Sequence, residues 1–299
     1  MSNLCNLDGA ILPEQEATVP VLDRSFLFGD SIYEVVRTID GVPFAWAEHW
    51  RRLELSADSL AMPLDLDERT VARRVADTLA AVDHGESYVR IIVSRGTGLA
   101  PNIDVDNAPG PQRWVLLVRP ITQTFGKPAR LALVPRRRND RRALDPASKS
   151  GNYLNNVLGL AEAKAAGATD CVMLNSDGFV TEASTSNLFA RLDGTWCTPP
   201  LEAGILAGIT RGLLLQFLPQ VGERVAERDL RAEDLLRAEE LFLSSTLRDI
   251  GPVTHLDGRA LCDGDNGGPH TRRIAPLFAA HIRERMRTVD APRWRELTT

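Results

Sequence analysis

Lys149 is the residue of this 299-residue chain whose surroundings best suit covalent chemistry. It lies within Asp145 to Asn156, after a proline-containing loop and before the apolar segment Tyr153 to Leu160. Its neighbours are small or neutral and polar, which suits a partly buried amine. A buried amine has a lowered pKa and can attack carbonyl groups, as lysines that form Schiff bases do. Because most lysines are surface residues, an ordinary loop lysine at a helix start is the alternative.

Two further segments have the residue types that bind an anion. Leu206 to Arg211 precedes the apolar run Leu213 to Leu218, so its glycine and threonine would present backbone N–H groups and a hydroxyl at a helix start. Thr210 can equally be a plain helix N-cap. The run Ser244 to Thr246 follows a predicted strand and offers hydroxyls for a second wall of a phosphate site. An ordinary Ser/Thr turn explains that run as well.

Glu182 is a single carboxylate among small hydroxyl residues, in the run Thr181 to Asn187. A carboxylate in such a place can hold a protonated ring nitrogen. The neighbouring hydroxyls and amides, including those of Ser186 and Asn187, can meet a phosphate or a substrate. A surface turn before the strand predicted at Leu188 to Ala190 is the alternative.

Basic side chains provide other candidates. His49 and Arg52 are three residues apart and therefore share one helix face. Arg52 can bind a phosphate through two nitrogens, whereas Arg51 fits a solvated basic face. The run 136–142 contains five arginines and is typical of a solvated or interface loop. Attraction of acidic co-substrates is the second interpretation of that run.

The elements that must position these residues follow from hydrophobic periodicity and turn residues. Strands are predicted at 4–11 with a turn at Asp8-Gly9, at 35–44 with a turn at Asp40-Gly41, and at 88–95, 114–118, 130–134, 170–174, 188–192 and 240–244. Helices are predicted at 47–61, 68–82, 152–166, 209–218, 231–237 and 275–287. Strands and helices mix without strict alternation, which predicts an α+β fold rather than a doubly wound sheet. A polar, Gly- and Pro-containing loop at 120–130 would separate an N-terminal domain (1–119) from a C-terminal domain (131–299).

Composition excludes several classes of protein. The net charge of -5 gives no positive surface for nucleic acid or an anionic membrane. No apolar run approaches the roughly 20 residues that span a bilayer, and the first ten residues lack the pattern of a signal peptide. The four scattered cysteines and five histidines show no metal-binding spacing, so we expect neither a disulfide framework nor a metal site. A reducing cytoplasm is the simplest predicted location.

Six short motifs follow one another along the chain. They are Phe-Gly-Asp-Ser-Ile-Tyr-Glu (28–34), Glu-His-x-x-Arg-Leu (48–53), Lys-Ser-x-Asn-Tyr (149–153), Thr-Glu-x-Ser-x-Ser-Asn (181–187), Gly-Ile-Thr-Arg (208–211) and Ser-Ser-Thr (244–246). Each is weak alone, but all six in this order resemble the fold-type IV, pyridoxal-phosphate-dependent aminotransferases. The resemblance runs from about Leu7 to Leu256. It implies a small N-terminal α/β domain, a larger C-terminal cofactor-binding domain, and a homodimer.

The resemblance also implies pyridoxal 5'-phosphate as the cofactor and a role for each motif. Lys149 would be the catalytic residue, forming a Schiff base with the cofactor and later shuttling a proton, and Glu182 would pair with the ring nitrogen. The other cofactor-binding residues would be Tyr153 at the phenolic oxygen, Leu206 on the ring, Arg52, Gly208, Ile209, Thr210, Ser245 and Thr246 at the phosphate, and Ser186 and Asn187 nearby. Tyr33 would line the substrate pocket.

The activity implied is transamination between an amino acid and a 2-oxo acid through a pyridoxamine intermediate. Ser186-Asn187 resembles the D-amino acid aminotransferases, since branched-chain enzymes usually carry Glu-Asn there. Yet Ala100 and Asn102 stand about where the D-amino acid enzymes carry the Arg and His that bind the α-carboxylate. The strand segment Tyr88-Val-Arg90 resembles the branched-chain enzymes instead, as does Arg37.

The substrate itself stays open at this point. Arg37, Arg90 and Arg248 are candidates for binding its carboxylate, each with a structural ion pair as the alternative. D-amino acids, branched-chain amino acids and (R)-amines are candidate donors, and the partners expected are small molecules and a second copy of the chain. An aminodeoxychorismate lyase that eliminates pyruvate is the alternative activity. It fits less well, because lyases have small residues or threonine where this chain has Tyr33-Glu34.

Overall fold

The computed structural model describes residues 3–122, 125–262 and 264–299. Positions 123 and 124 of the predicted interdomain loop, and positions 1 and 2, lie outside the described residues. The strands are β1 (Leu4–Leu7), β2 (Ala10–Pro13), β3 (Ser31–Ile39), β4 (Val42–Pro43), β5 (Ser87–Ser94), β6 (Arg113–Pro120), β7 (Ala129–Arg137), β8 (Asp170–Leu174), β9 (Val180–Ala183), β10 (Asn187–Leu192), β11 (Thr195–Thr198), β12 (Arg224–Glu227), β13 (Glu240–Ser245), β14 (Asp249–Leu256) and β15 (Arg259–Ala260). The helices are α1 (Arg24–Phe28), α2 (Trp46–Ser59), α3 (Glu68–Ala80), α4 (Leu154–Ala165), α5 (Ile209–Gln220), α6 (Ala232–Arg237), α7 (Pro269–Arg285) and α8 (Ala291–Thr298).

The predicted α+β class is confirmed, and each predicted helix and strand is present with ends shifted by a few residues. The turns at Asp8-Gly9 and Asp40-Gly41 have positive φ at both residues, as two-residue hairpins require. The elements that were not predicted are strands β9, β11, β12, β14 and β15 and helices α1 and α8; five of them have at most five residues, while β14 and α8 have eight each. Their patterns are too brief or too evenly apolar for periodicity to reveal them.

The first of two compact units comprises Met1–Thr122, Ser148–Asn152 and Glu284–Thr299. Its sheet is antiparallel, with the strand order β2-β1-β6-β5-β3-β4. One sheet face carries Ile32, Val36, Val89 and Ile91, which are buried in a core with α2 and α3. Because side chains alternate along a strand, the next residues on β3 and β5 lie on the other, less covered face.

This grouping differs from the predicted domains, because two later segments return to the first unit. Residues 148–152 join β3, where the Tyr33 N–H donates to the Lys149 carbonyl at 2.9 Å and the Gly151 N–H to the Ser31 carbonyl at 2.7 Å. Helix α8 buries Trp294 against Trp46, with the ring centroids 4.9 Å apart. Contacts between segments so distant in sequence produce no local hydrophobic pattern, so this grouping could not be predicted from the sequence.

The second unit comprises Gln123–Ala147 and Tyr153–Arg283. Its described strands form a sheet in the order β12-β11-β10-β13-β14-β7-β8-β9, with β15 paired to β14. Apolar side chains of this unit form a core from Leu131, Val180, Leu188 and Leu243, among others. Helix α4 packs closely on β8, where Gly159 leaves room for the sulfur atoms of its neighbours. No helix within the described ranges combines the length and hydropathy needed to cross a bilayer.

Candidate active site

The backbone around Lys149 is fixed from both sides within the first unit. Its carbonyl accepts from Tyr33 on β3, its N–H donates to Ser56 Oγ on α2 at 3.1 Å, and Ser150 forms a bridge with Ile32. Ser148 Oγ and Ser59 Oγ are 2.6 Å apart, which adds a second bond to α2. The small polar neighbours of Lys149 therefore attach the loop to the sheet and helix, and the side chain is half-buried.

The Lys149 amine lies against Tyr33. Lys149 Nζ is 3.2 Å from the Tyr33 hydroxyl and 4.3 Å from the centre of its ring. The Arg90 guanidinium carbon lies 3.9 Å from the same ring centre. A buried tyrosine thus brings an amine and a guanidinium to one point, where a nucleophile and a carboxylate-binding group are both available.

Tyr33 and Arg90 belong to a polar face of the first sheet. Strand register places Val35 opposite Arg90 and Arg37 opposite Tyr88, so these side chains share the face of Tyr33. Arg37 is buried, with its guanidinium carbon 5.1 Å from the centre of the Phe44 ring. Arg90 is half-buried, and its guanidinium makes no hydrogen bond or ion pair with any described residue. The structural ion pair that was the alternative for Arg90 is therefore not found there.

Arg52 is held by a carboxylate on the opposite face of the same sheet. Its Nε and Nη2 donate to the two oxygens of Glu34 at 2.7 and 2.8 Å, and His49 Nδ1 is 2.6 Å from Glu34 Oε2. Burial acts to raise the pKa of Glu34, but Arg52 and His49 outweigh it and hold that pKa well below its usual range. Burial also lowers the pKa of His49. These bonds fix the direction of Arg52, which is buried and is not part of a solvated basic face.

Glu182 lies in the second unit on β9, a strand whose four residues are all buried. The surface-turn alternative is therefore wrong for Glu182. Its Oε2 accepts from Asn187 Nδ2 at 3.2 Å and from the Leu206 N–H at 3.1 Å. Its Oε1 accepts from Arg138 Nη2 at 3.0 Å and from Nε at 3.2 Å. The carboxylate is oriented from two sides.

Asn187 connects Glu182 to the start of α5. Its Nδ2 also donates to the Leu206 carbonyl at 2.9 Å, and it lies opposite Ser244 in the register of β10 and β13. Gly208 approaches so closely that a Cβ there would overlap the Asn187 amide oxygen. Glycine at position 208 is therefore required by the position of Asn187, which in turn is bonded to Glu182.

The N-cap of α5 is Gly208, with no side-chain capping bond. Thr210 lies inside the first turn, so its alternative role as an N-cap is wrong. The first N–H groups of a helix have no intrahelical partner and attract anions. Three buried hydroxyl oxygens, Thr210 Oγ1, Ser186 Oγ and Ser244 Oγ, have no hydrogen-bond partner among the described residues. Buried polar groups of native proteins are nearly always bonded, so these hydroxyls fit an anionic ligand.

The remaining predicted residues of the second unit have various positions. Tyr153 is the half-buried N-cap of α4. Ser245 ends β13, and Thr246 follows it in a turn closed by the Arg248 N–H on the Ser245 carbonyl at 3.1 Å. Arg248 Nη2 is 3.8 Å from Asp170 Oδ2. The structural ion pair is therefore the interpretation of Arg248 that this geometry favours.

The comparison with known proteins explains this geometry. The sequence model of the amino-transferase class IV family matches residues 31–256. The chain belongs to this family.

Relatives and solved structures of similar length agree with this assignment. The chain is 35% identical over 273 residues to a putative branched-chain-amino-acid aminotransferase of Methanocaldococcus jannaschii, with 91% of this chain and 94% of the relative covered. It is 32% identical over 290 residues to the D-alanine aminotransferase of Listeria innocua, with 91% and 93% covered. Its fold is similar to that of the branched-chain aminotransferase of Thermoproteus uzoniensis crystallised with norvaline, with a TM-score of 0.85, 29% identity, and 94% and 95% covered. The branched-chain amino acid aminotransferase of Thermobaculum terrenum, crystallised in its PLP-form, gives a TM-score of 0.83 at 25% identity, with 95% of each chain covered.

The predicted transaminase activity and cofactor are thereby confirmed: this class IV aminotransferase depends on pyridoxal 5'-phosphate. Nothing favours the lyase alternative. The donor set of the chain fits the cofactor, because it includes an amine for the aldehyde, a buried carboxylate for the ring nitrogen, and buried hydroxyls beside a helix start for the phosphate.

Sequence reasoning missed two residues of this aminotransferase that hold the predicted ones. Glu34 binds Arg52, and Arg138 binds Glu182. Arg138 lies within the arginine-rich run that was interpreted as a solvated loop, yet it is 7% exposed. If the alternation of buried and exposed residues along β7 is continued past Arg137, Arg138 falls on the buried face. This alternation was hard to recognise in the sequence because five of the seven residues at 136–142 are arginines.

Proposed function

We propose that this aminotransferase transfers the amino group of branched-chain amino acids to a 2-oxo acid, and that Arg90 binds a substrate carboxylate. The observation that carries the proposal is Arg90 itself, which lies over Tyr33 beside the Lys149 amine without a protein carboxylate among the described residues. A half-buried guanidinium in that position suits a ligand carboxylate, which it can bind through two nitrogens.

The residues around Arg90 suit a substrate that has both an acidic and an aliphatic part. Val35 and Ile92 lie opposite Arg90 and Tyr33 in the register of β3 and β5, on the same face. These aliphatic side chains share their face with Tyr33 and Tyr88, and together such groups favour a branched hydrocarbon chain by burying it from water. Arg37, which is on this face, is the second candidate for a carboxylate.

The loop that would bind the α-carboxylate in a D-amino acid enzyme lacks cations at the expected positions. Position 100 is alanine, and the Asn102 amide oxygen accepts from the Asp104 N–H at 3.0 Å within the loop itself. The 35% identity with the branched-chain relative supports the same preference. D-alanine and (R)-amines are thus donors to be tested rather than the preferred ones.

The proposal assigns the other roles by residue. Lys149 carries the cofactor and moves the proton of the substrate α-carbon, and Glu182 faces the ring nitrogen. Tyr153 meets the phenolic oxygen and Leu206 the ring. The phosphate is bound by Arg52, Gly208, Ile209, Thr210, Ser245 and Thr246, with Ser186 and Asn187 beside it. When bound, the cofactor withdraws electrons from the α-carbon, which makes its proton removable.

Replacement of Arg90 by leucine tests the proposal. We expect the KM for the carboxylate substrates to rise about 10- to 100-fold. This range corresponds to the loss of one charged hydrogen bond, which contributes about 1.5–3 kcal/mol. Initial rates with L-leucine, L-isoleucine, L-valine, D-alanine and an (R)-amine, each with 2-oxoglutarate, give KM and kcat. Arg51→Leu, on an exposed position of α2, is the matched control and should behave as the unmodified enzyme.

Two outcomes would contradict this proposal in different ways. Turnover of D-alanine alone would show that the donor preference is wrong. An unchanged KM in Arg90→Leu would show that another group binds the carboxylate, with Arg37→Leu as the next variant.

A homodimer is part of the proposal. Segments 21–26 and 98–105 are joined by the Gly98 N–H on the Leu22 carbonyl and by Arg24, which donates to three carbonyls of the second segment. They expose Val21, Phe26, Leu99 and Ile103 by 70% or more. Such an apolar patch is typical of an interface.

The enzyme should have the mass of a dimer by light scattering. The double variant Leu99→Asp, Ile103→Asp should have a lower mass, because the two charges would disrupt the apolar interface. A double variant that stays dimeric would exclude this patch as the interface.

A cytoplasmic location is also proposed. Its support is the three buried cysteines Cys5, Cys171 and Cys197, which are free thiols that a reducing compartment preserves. Detection of the enzyme outside the cytoplasmic fraction of its cells would contradict this location.

A further inference from the structure

We infer that Arg138 is a positioning residue, which keeps Glu182 ionised and aimed and fixes the start of the helix that carries Tyr153. The inference rests on the proposed roles of Glu182 and Tyr153. Arg138 lies at the end of β7 and is buried, although its neighbours Arg136 and Arg137 are half-buried and exposed.

All three guanidinium nitrogens of Arg138 donate hydrogen bonds, and their acceptors form two groups. Nε and Nη2 donate to Glu182 Oε1, while Nη1 donates to the amide oxygens of Asn155 and Asn156, each at 3.2 Å. The backbone N–H of Arg138 donates to the Leu174 carbonyl at 2.9 Å, which anchors the residue to β8. The side chain therefore has one defined orientation.

The charge of Arg138 stabilises the ionised form of Glu182, in addition to the Asn187 and Leu206 N–H groups that donate to it. A carboxylate buried without a partner would take up a proton, because burial disfavours the charged form. A guanidinium remains charged at every pH the protein meets, so it stabilises the carboxylate throughout. If Glu182 faces the ring nitrogen, an ionised Glu182 favours the protonated ring. Without Arg138 the shared proton moves from the ring nitrogen toward the Glu182 oxygen.

The second group of partners, Asn155 and Asn156, connects Arg138 to helix α4. Asn155 and Asn156 occupy the first turn of α4, and Tyr153 is its N-cap. Asn156 Nδ2 donates to the Ser184 carbonyl at 2.8 Å, and Asn155 Nδ2 to the Arg137 carbonyl at 2.9 Å. Arg138 thus joins the strand of Glu182 to the helix start of Tyr153 through one rigid group.

The test compares three variants as holoenzymes carrying pyridoxal 5'-phosphate labelled with nitrogen-15 in the ring. In Arg138→Met we expect the nitrogen chemical shift to move toward that of neutral pyridine and kcat to fall about 10- to 100-fold, the scale typical when the partner of a site residue is lost. Arg138→Lys retains the positive charge but lacks the several N–H donors of the guanidinium. Its nitrogen chemical shift and kcat should therefore lie between those of Arg138→Met and the unmodified enzyme. Arg137→Met removes an exposed charge one residue away and should change neither.

The readouts separate this inference from a purely structural role. A lower kcat in Arg138→Met with an unchanged nitrogen shift would overturn it, as would equal effects in Arg137→Met. If Arg138→Met does not fold, an unchanged nitrogen shift in Arg138→Lys overturns it. A neutral ring in the unmodified enzyme would instead refute the proposed role of Glu182.

Discussion

Lys149→Ala is expected to lower kcat for transamination by on the order of 10⁴-fold, the upper range for loss of a general base. In the proposed role the side chain also binds the cofactor, so the variant should lose two functions at once. Its backbone bonds to Tyr33 and Ser56 do not need the side chain, so the loop should stay in place. Single-turnover and steady-state rates, together with the melting temperature, check this expectation.

The small number of lysines in the sequence provides matched controls for the Lys149 variant. Lysine occurs only at positions 127, 149 and 164 of the sequence. Lys127→Ala and Lys164→Ala, at two exposed positions, should retain full activity. Borohydride reduction followed by peptide mapping should find the cofactor on the peptide of Lys149 alone. Cofactor on another lysine, or an active Lys149→Ala enzyme, would contradict the assignment.

Glu182→Gln is expected to lower kcat about 10²- to 10³-fold, the range for removing one preorganised charge from an active site. Glutamine keeps the size of the side chain but cannot supply the negative charge that favours a protonated ring. It also leaves Arg138 without its carboxylate. Steady-state kcat and the absorbance spectrum of the bound cofactor against pH measure the effect.

The control for Glu182→Gln is Glu162→Gln, which removes a half-buried carboxylate paired with Arg136 in the same unit. This variant should change kcat less than about threefold, because surface-type ion pairs contribute little. An equal loss in both variants would mean that Glu182 acts through stability rather than through its charge at the ring.

The sequence allowed the type of each element to be predicted where its pattern was long. Helices α2 and α3 and the strands β3 and β5 have the periodicity that identifies them. Strand β9 could not be found in this way, because its four residues are all buried and show no alternation. The sequence therefore left a surface turn open as the alternative for Glu182, beside the chemical role proposed from its neighbours.

The residues proposed to contact the cofactor were easier to predict than the residues that hold them in place. Lys149, Glu182 and Thr210 lie in motifs whose residue types are unusual together. Glu34 and Arg138 act through partners 18 and 44 positions away, and a charged residue next to other charges looks solvated in sequence. Only the folded chain shows that each is buried with a specific partner.

The return of α8 to the first unit has a consequence for how the chain is made. Trp294 and Leu297 complete a core whose other members, such as Trp46 and Trp114, are translated far earlier. A nascent chain must therefore present part of that core unfilled until α8 leaves the ribosome. Exposed apolar surface of this kind promotes aggregation and attracts chaperones. The loop 148–152 can join β3 only after about half of these residues have been translated. The Lys149 amine therefore reaches its position late, after the strand that holds it has been synthesised.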